Sequence, residues 1–372
     1  MTLFKKITIT LCAIFLSVQI NAQDTKPISK FKDSLDGAID LSNFLLNLHG
    51  VLPVVMPITE PAVDYGAAAI GLYFLGKENK EGDKKKPDVI AAGGGYTGND
   101  TWFAGGGYIG FWNNDNLRYR GILGYGNINL TYYGLSDRNF ARNPKEYNIQ
   151  SWFFLQQAVW RIKNSNFFLG GKYQLTKTST RFFENIDFGN LELINSGLSF
   201  ISEFENYDNI FSPTQGTRIH FSYDQNLEFL GSDIDFSKAN FFSLFYFGGT
   251  ETWTPALRVE MLYSSDNTPF YAKPYVKLRG VPAVRYQGNF TALVETEHEF
   301  SISRRWSIVG FGGVGAAFKA IDDLNTDETV WNVGSGFRYL IARQMGLKMG
   351  VDVARGPEEF GFYVTVGSSW IK

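Results

Sequence analysis

The chain has 372 residues, with 35 basic and 37 acidic side chains and a formal net charge of −2, a balance that leaves no basic footprint for nucleic acid. Its only cysteine, Cys12, lies in the first apolar run, so a chain that has lost that run has no disulfide, thiolate metal site or cysteine nucleophile. Aromatic residues make up 16% and glycines number 39, yet beyond the first run no stretch approaches the roughly 18 apolar residues of a membrane helix.

Lys5-Lys6, the apolar run from Ile7 to Val18 and Ile20-Asn21-Ala22 before Gln23 have the layout of a secretory signal peptide over residues 1–22. A lipoprotein leader is set aside, because Leu11 stands before Cys12 where a small residue is needed. Residues 23–50 are too few for a folded domain and read as a short periplasmic segment. Leu41, Phe44, Leu45 and Leu48 form a weak amphipathic patch there, suited to a short helix at or inside the mouth of what residues 51–372 build.

From Val51 onward the chain breaks into segments of ten to fifteen residues with almost no helical periodicity. Strands are expected at 52–58, 65–75, 88–97, 101–112, 117–133, 147–161, 165–180, 192–206, 216–227, 238–248, 254–264, 288–300, 304–318, 328–341, 345–354 and 359–371. In the last, Phe360, Phe362, Val364 and Val366 share an apolar face, and Gly361, Tyr363, Thr365 and Gly367 the other. Met345 to Val353 alternate in the same way with Gly346, Lys348, Gly350, Asp352 and Ala354. One apolar and one polar face, repeated over an even count of strands, gives an all-β transmembrane antiparallel β-barrel of about sixteen strands. Trp102 and Trp112, ten residues apart on one face, match the height of the hydrocarbon and mark two aromatic girdles. The links 113–116, 162–164 and 249–253 fall on the periplasmic side, and the long ones around 135–146, 181–191, 228–237 and 265–287 outside; the basic link Gly76–Pro87 breaks that asymmetry.

The spacing G-x-G-x-x-G occurs at Gly93/Gly95/Gly98, Gly105/Gly107/Gly110 and Gly310/Gly312/Gly315. A dinucleotide cradle requires a helix after it, and here aromatic strand residues follow, so the glycines are read as small positions where strands bend and aromatic neighbours fit.

Chemistry concentrates in residues 271–315. Lys273, Lys277, Arg279 and Arg285 are basic, with no acid between Asp266 and Glu295; Glu295, Glu297 and Glu299 then follow at period two on one strand face. The opposite face is mostly apolar, so the three carboxylates point into the lumen and need cations. An inward-folding extracellular loop supplies them, and Arg279, with its carboxylate-binding fork and Gly280 beside it, is the best placed. Charge balance of this kind is preferred over a metal site.

Leu278-Arg279-Gly280-Val281 resembles the inward-folded loop motif of the bacterial surface antigen family, the BamA/TamA-like assembly-factor barrels. Ser212-Pro213-Thr214-Gln215-Gly216, the acidic strand after the loop and the strand Gly310-Phe311-Gly312-Gly313-Val314-Gly315 are similar to that family as well. The resemblance spans the barrel and places the loop between the eleventh and twelfth strands. It implies that Arg279 holds the loop to the luminal wall with Glu297, or Glu295, as partner. Three departures stand out. Phe311-Gly312-Gly313 lacks the acid many relatives carry there, 28 residues cannot encode a POTRA domain, and the sequence ends Trp370-Ile371-Lys372 instead of on a terminal aromatic.

The resemblance implies a barrel in a Gram-negative outer membrane, surrounded by its lipid, that inserts or exports a protein or lipid client through a weak seam between first and last strands. Two other readings stay open: a passive pore or surface structural protein, and a binding module for a separate periplasmic partner. No cofactor is called for. His49, His220 and His298 have no serine or aspartate constellation visible around them, so no enzyme is expected.

Overall fold

The computed structural model describes residues 31–46, 50–76, 86–135, 143–184, 190–322, 324 and 329–370. The signal segment 1–22, Leu48, and most of the Gly76–Pro87 link lie outside the described residues. The strands are β1 (Val51–Ile58), β2 (Gly66–Leu75), β3 (Asp88–Thr97), β4 (Trp102–Trp112), β5 (Leu117–Tyr132), β6 (Lys145–Arg161), β7 (Phe167–Phe182), β8 (Leu191–Glu205), β9 (Gln215–Asn226), β10 (Phe236–Phe247), β11 (Trp253–Ser264), β12 (Phe290–Ser301), β13 (Trp306–Phe318), β14 (Thr329–Ala342), β15 (Leu347–Arg355) and β16 (Phe360–Val366). A five-residue helix, α1 (Ser42–Leu46), precedes them. Each strand pairs antiparallel with the next in sequence, giving a single sixteen-stranded sheet curled into a nearly closed barrel. No described helix is long and apolar enough to cross a membrane.

Alternation produces this architecture. Large apolar side chains point outward and stay exposed, among them Leu123, Val314 and Val333 at 54 to 58%. Polar and charged ones such as Glu295, Asn332 and Asp352 point inward and are buried. At one level the outward rings of Trp102, Tyr125 and Trp152 form a row across β4, β5 and β6, with centroids 5.3 and 5.0 Å apart. At the other end of β4, Trp112 stacks on Tyr119 at 5.3 Å. An apolar outer belt edged by aromatic rings is the surface a barrel presents to lipid.

The β4–β5, β6–β7 and β10–β11 turns define one end of the barrel, called the turn end; the opposite one is the loop end. Asn113, Asn114 and Asp115 take positive φ in the β4–β5 turn, a conformation Asn and Asp adopt more readily than other side chains. The glycines of the three copies lie on strands, except Gly98, which sits in the turn between β3 and β4. Gly105 of β4 is paired with Gly93 of β3 and with Gly124 of β5. Together they open a hollow of about 640 Å³ lined also by Val89, Phe103, Ile109, Ile122 and Phe153.

The last strand ends earlier than its alternation suggests, at Val366 and not near 371. Gly367 takes φ +77° and donates to the Lys348 carbonyl at 2.7 Å, after which the chain leaves the wall and turns into the lumen.

Candidate functional site

The 25 residues between β11 and β12, 265–289, fold inward across the loop end. Lys273 ties their two ends together, donating to the carbonyls of Ser265 (3.3 Å) and Asp266 (3.2 Å) and to the Asn289 side chain. Phe270 reaches the far wall, where its ring meets Tyr132 of β5, Tyr147 of β6 and Phe182 of β7 at 5.2 to 5.5 Å. Val276, Leu278, Val281 and Tyr286 pack on Leu293 of β12, Ala317 of β13 and Val330 of β14, and all are buried. Gly315 makes room for this packing, since a Cβ there would stand 2.5 Å from Val276 Cγ1. Gly315→Ala is therefore expected to lift the loop at a cost of about 1–3 kcal/mol, as overpacking does. A lower thermal midpoint on a heat-modifiability gel together with faster tryptic cutting after Lys277 checks it.

That packing delivers Arg279 to the wall. Its Nε and Nη2 donate to Glu295 Oε1, each at 3.2 Å, Nη1 pairs with Glu297 Oε2 at 2.8 Å, and Nη1 also donates to Asp352 Oδ2 at 2.9 Å. The guanidinium lies 3.4 Å over the Phe311 ring, whose negative face favours the cation. Glu299 does not join them. Two residues from Glu297 along the strand, roughly 7 Å away at strand rise, it pairs with Lys348 of β15 at 2.6 Å instead. Gly313 lies between Glu295 and Asn332 in the register, and Asn332 donates to Glu295 Oε1 (3.0 Å) and to the Arg279 carbonyl (3.1 Å).

Sequence reasoning missed several of these partners. The acid absent after Phe311 is made good by Asp352 on β15, which Arg338 of β14 also grips through Nη1 (2.5 Å) and Nη2 (3.0 Å). Arg258 of β11 stands 3.5 Å from Glu295 and 2.9 Å from Glu260. Asp352 was readable as luminal from its alternation; its pairing over 73 residues of sequence was not. His220, which showed no partner in sequence, meets Glu203 at 3.0 Å and stacks on Phe242.

The motif loop also reaches both ends of the sheet. Gly280 takes φ +81° and its N–H donates to the Tyr363 hydroxyl of β16 at 2.7 Å; a side chain here would press on Gly356 N at 3.0 Å. Tyr286 donates to Glu358 in the β15–β16 connection. Three residues after Gly280, Ala283 N–H donates to Glu60 Oε1 at 2.9 Å, and Glu60 belongs to the β1–β2 connection. Among the described residues no strand ladder joins β1 to β16, so this loop straps across a seam.

No family model and no curated protein sequence matches the chain. Among solved structures, BamA from Haemophilus ducreyi lacking POTRA domains 1-3 aligns with a TM-score of 0.60 at 12% identity, covering 86% of this chain and 70% of that one. The fold is that of the BamA barrel. CdiB from Escherichia coli aligns with a TM-score of 0.60 at 10% identity, over 84% of this chain and 61% of that one. For CdiB from Acinetobacter baumannii the values are 0.58 and 10%, over 86% and 60%. This chain thus spans about three fifths of the length of either CdiB chain.

In this BamA-type frame the chain after β16 completes the luminal cluster. Trp370 Nε1 donates to Glu295 Oε2 at 2.6 Å, and its ring is buried with Leu244, Tyr246 and Ala256. Ser369 Oγ accepts from Arg338 at 3.0 Å, and Ser368 N–H donates to the Phe211 carbonyl at 2.6 Å. Phe211 belongs to the β8–β9 connection, whose Asn209 donates to the Met345 carbonyl in the β14–β15 turn at 3.0 Å. Asp208 and Thr214, at the start of the Thr-Gln-Gly stretch, hold each other through a 2.6 Å side-chain hydrogen bond.

At the turn end the N-terminal segment clasps the same region. Arg305, only 6% exposed between β12 and β13, faces Asp33 (2.5 Å), Asp36 (2.7 Å) and Asp40 (2.6 Å), while Arg343 also grips Asp33. Leu41 N–H donates to the Ile341 carbonyl at 2.6 Å, leaving α1 beside the β14–β15 turn. Hydrogen bonds from Arg343 and Leu35 hold the Asp33 carboxyl well below its ordinary range. Burial pushes Asp40 up, but hydrogen bonds from Arg305, Ser42 and Arg343 outweigh it and leave the group at about 2.

Carboxyls lowered by docking contribute stability that is fully present above their ordinary value near 3.8 and is lost as pH falls through the docked value. The clasp is therefore expected to be unchanged between pH 8 and about pH 5 and to release as the pH drops from about 4 towards 2. A spin label at Leu35→Cys, a position 64% exposed, reads this as immobile spectra down to the lower window and mobile spectra within it. Release near pH 6 would contradict it.

Proposed function

We propose that this protein is an outer-membrane barrel that helps to insert or export a protein or lipid client through the seam between β1 and β16. The observation that carries this reading is the sheet's two free ends: ladders run unbroken from β1 to β16 and, among the described residues, none closes the circle. Unpaired strand edges are templates for another chain, and most barrels abolish them by closure. A barrel that keeps its edges, yet straps them with an internal loop, is suited to opening and reclosing. The outward apolar belt supports a place in lipid, and the leader-like first 22 residues support export. The shared fold with BamA and CdiB supports work on a client in that setting.

Under this reading the protein makes and breaks no covalent bond. Its work is exchange of hydrogen bonds at the seam, with the Arg279 cluster holding the loop in the strapped position. Quantitative outer-membrane proteomics on a strain lacking the protein, complemented with the native chain or with Arg279→Ala, tests it. Loss of particular barrel or surface proteins, restored only by the native chain, is the expected result. Unchanged membrane composition with reduced small-solute uptake would replace it with a passive pore.

A further inference from the structure

The lumen is not polar all round. Faces can be assigned on β5 because Arg118 reaches Glu205 of β8 at 2.8 Å, three strands further on, which only a luminal side chain can do. Arg120, Ile122, Gly124, Gly126 and Ile128 share the parity of Arg118 and face the lumen with it, while Leu123 and Tyr125 face out. The register sets Arg120 beside Ile109, Ile122 beside Gly107, Gly124 beside Gly105 and Gly126 beside Phe103, so the inner face of β4 is apolar here. The hollow of about 640 Å³ that these residues line is therefore luminal. A barrel interior is ordinarily polar. In this one Phe103 and Ile109 stand 38 and 37% exposed inside it.

The hollow has the form of a trough. Its floor is the row Gly93, Gly105 and Gly124, flanked in the register by Ile70 of β2 and Phe153 of β6. Along β5 it runs from Arg120 to Ile128, about 26 Å at strand rise. That exceeds the roughly 15 Å that the chains of one leaflet occupy in a bilayer. Its volume lies within the roughly 300–1,000 Å³ of single-ligand sites. At the loop end the trough is stopped by Leu130, Tyr132 and Ile149 packed with Phe270. At the turn end stands Arg120, which lines it. One step below, Arg118 is held by Asp115 and Glu205. Arg120 has no ion pair or side-chain hydrogen bond among the described residues, and its cross-strand neighbours are Ile109 and Gln157. The adjoining link 77–85 is composed of Lys, Glu, Asn, Gly and Asp alone, so it brings no apolar side chain to fill the trough.

We propose that this trough binds a long-chain fatty acid, with its carboxylate on Arg120 and its chain laid along the glycine floor towards Phe270. The two parts of the ligand follow from the two parts of the site. A guanidinium fork meets a carboxylate through two parallel N–H donors, and one cation without a partner calls for one anionic head. An apolar trough ended by aromatic rings calls for a hydrocarbon chain. A carboxylate is favoured over a phosphate-bearing head because Val89, Ile109 and Ile122, which line the hollow with Arg120, offer no side-chain donor to further oxygens. The site requires the barrel and not an opening seam, so it and the function proposed above fail separately.

The test uses the full chain in phosphatidylcholine nanodiscs, photolabelled with a palmitic acid analogue that carries a diazirine at its far end, with the labelled residues located by mass spectrometry of peptides. Probe dissolved in the bilayer marks the outward parity, Leu123 and Tyr125. Probe in the trough marks the inward one, Phe103, Ile122 and Ile128. Inward labelling is expected, and it should fall at least about tenfold in Arg120→Gln, the loss of one charge-assisted pair, and equally when the probe is the corresponding alcohol. Gly124→Leu should abolish it. A Cβ there would stand 3.4 Å from the Ala104 carbonyl oxygen, an ordinary contact, so the wall accepts the side chain and the trough is filled. Heat-modifiable migration like that of the native chain shows that both variants are folded, and the native labelling map stands without them. Labelling confined to the outward parity overturns the site. Inward labelling that the alcohol matches, that persists in Arg120→Gln, or that a lysophospholipid displaces better than palmitate overturns the assignment of its ligand.

Discussion

Arg279→Ala is expected to free the inward loop and to lower the barrel's stability by about 3–5 kcal/mol, the cost of leaving a buried charge without its partner. The damage falls unevenly over the three carboxylates. Asp352 keeps both nitrogens of Arg338, and Glu295 keeps Arg258, Asn332 and Trp370. Glu297 keeps only the more distant charge of Arg338, for its ion pair is with Arg279. Adding Glu297→Gln to Arg279→Ala is therefore expected to recover part of the loss, since the uncompensated charge is gone. Arg279→Lys is not a rescue, because a single ammonium cannot span Glu295, Glu297 and Asp352 or lie flat on Phe311. Thermal midpoints by heat-modifiable migration order the variants as native, double, then single. A single variant no less stable than the native chain would refute the role given to the cluster.

Arg305→Ala is expected to undock residues 31–46 while leaving the barrel folded. One planar fork meets three aspartates, and the remaining cation, Arg343, reaches only Asp33 among them. Asp36 and Asp40 would lose their guanidinium, and Asp40 is buried. Limited trypsinolysis read by mass spectrometry should show cutting after Lys32 faster by at least about tenfold, as expected for a segment moved to the low-stability end of the structure. Heat-modifiable migration of the barrel should stay near native. Unchanged protection at Lys32 would mean that the backbone contact at Leu41 and the packing of Phe31 on Phe44 hold the segment without the charges.

Most strand positions were legible because side-chain alternation has a fixed period and the connections carry Asn, Asp and Gly where the backbone needs them. β15 shows this, its polar face running Lys348, Gly350, Asp352 and Ala354 as the alternation requires. β16 shows the limit. Gly367, Ser368, Ser369 and Trp370 continue a plausible alternation, and what ends the strand is a tertiary choice, a left-handed glycine followed by burial of Trp370 on Glu295. The C-terminal tryptophan, which looked like a weak terminal signal, is a luminal side chain. Glu295 and Glu297 were findable because a run of acids at period two must share a face. The same rule drew in Glu299, because face says nothing of depth. Asp33, Asp36 and Asp40 offered a signal in their spacing that becomes meaningful only once Arg305 is seen opposite them.

The N-terminal segment is fixed beside the end of β14 at Leu41, and the chain enters β1 at Val51, so these two points lie on opposite sides of the seam. The slit between β1 and β16 is thus hooked at both rims, and the two hooks differ in give. On the β1 side the upper one, among the described residues, is a single hydrogen bond from Ala283 to Glu60. The lower one is the stretch of chain between those two points, whose described part includes α1. Paying out the five residues of α1 from helical to extended rise adds roughly 9 Å, nearly two strand spacings of about 4.8 Å. Under the proposed opening of the seam, the upper hook is the one that gives way while the aspartate clasp stays shut, and the aperture gapes first at the loop end.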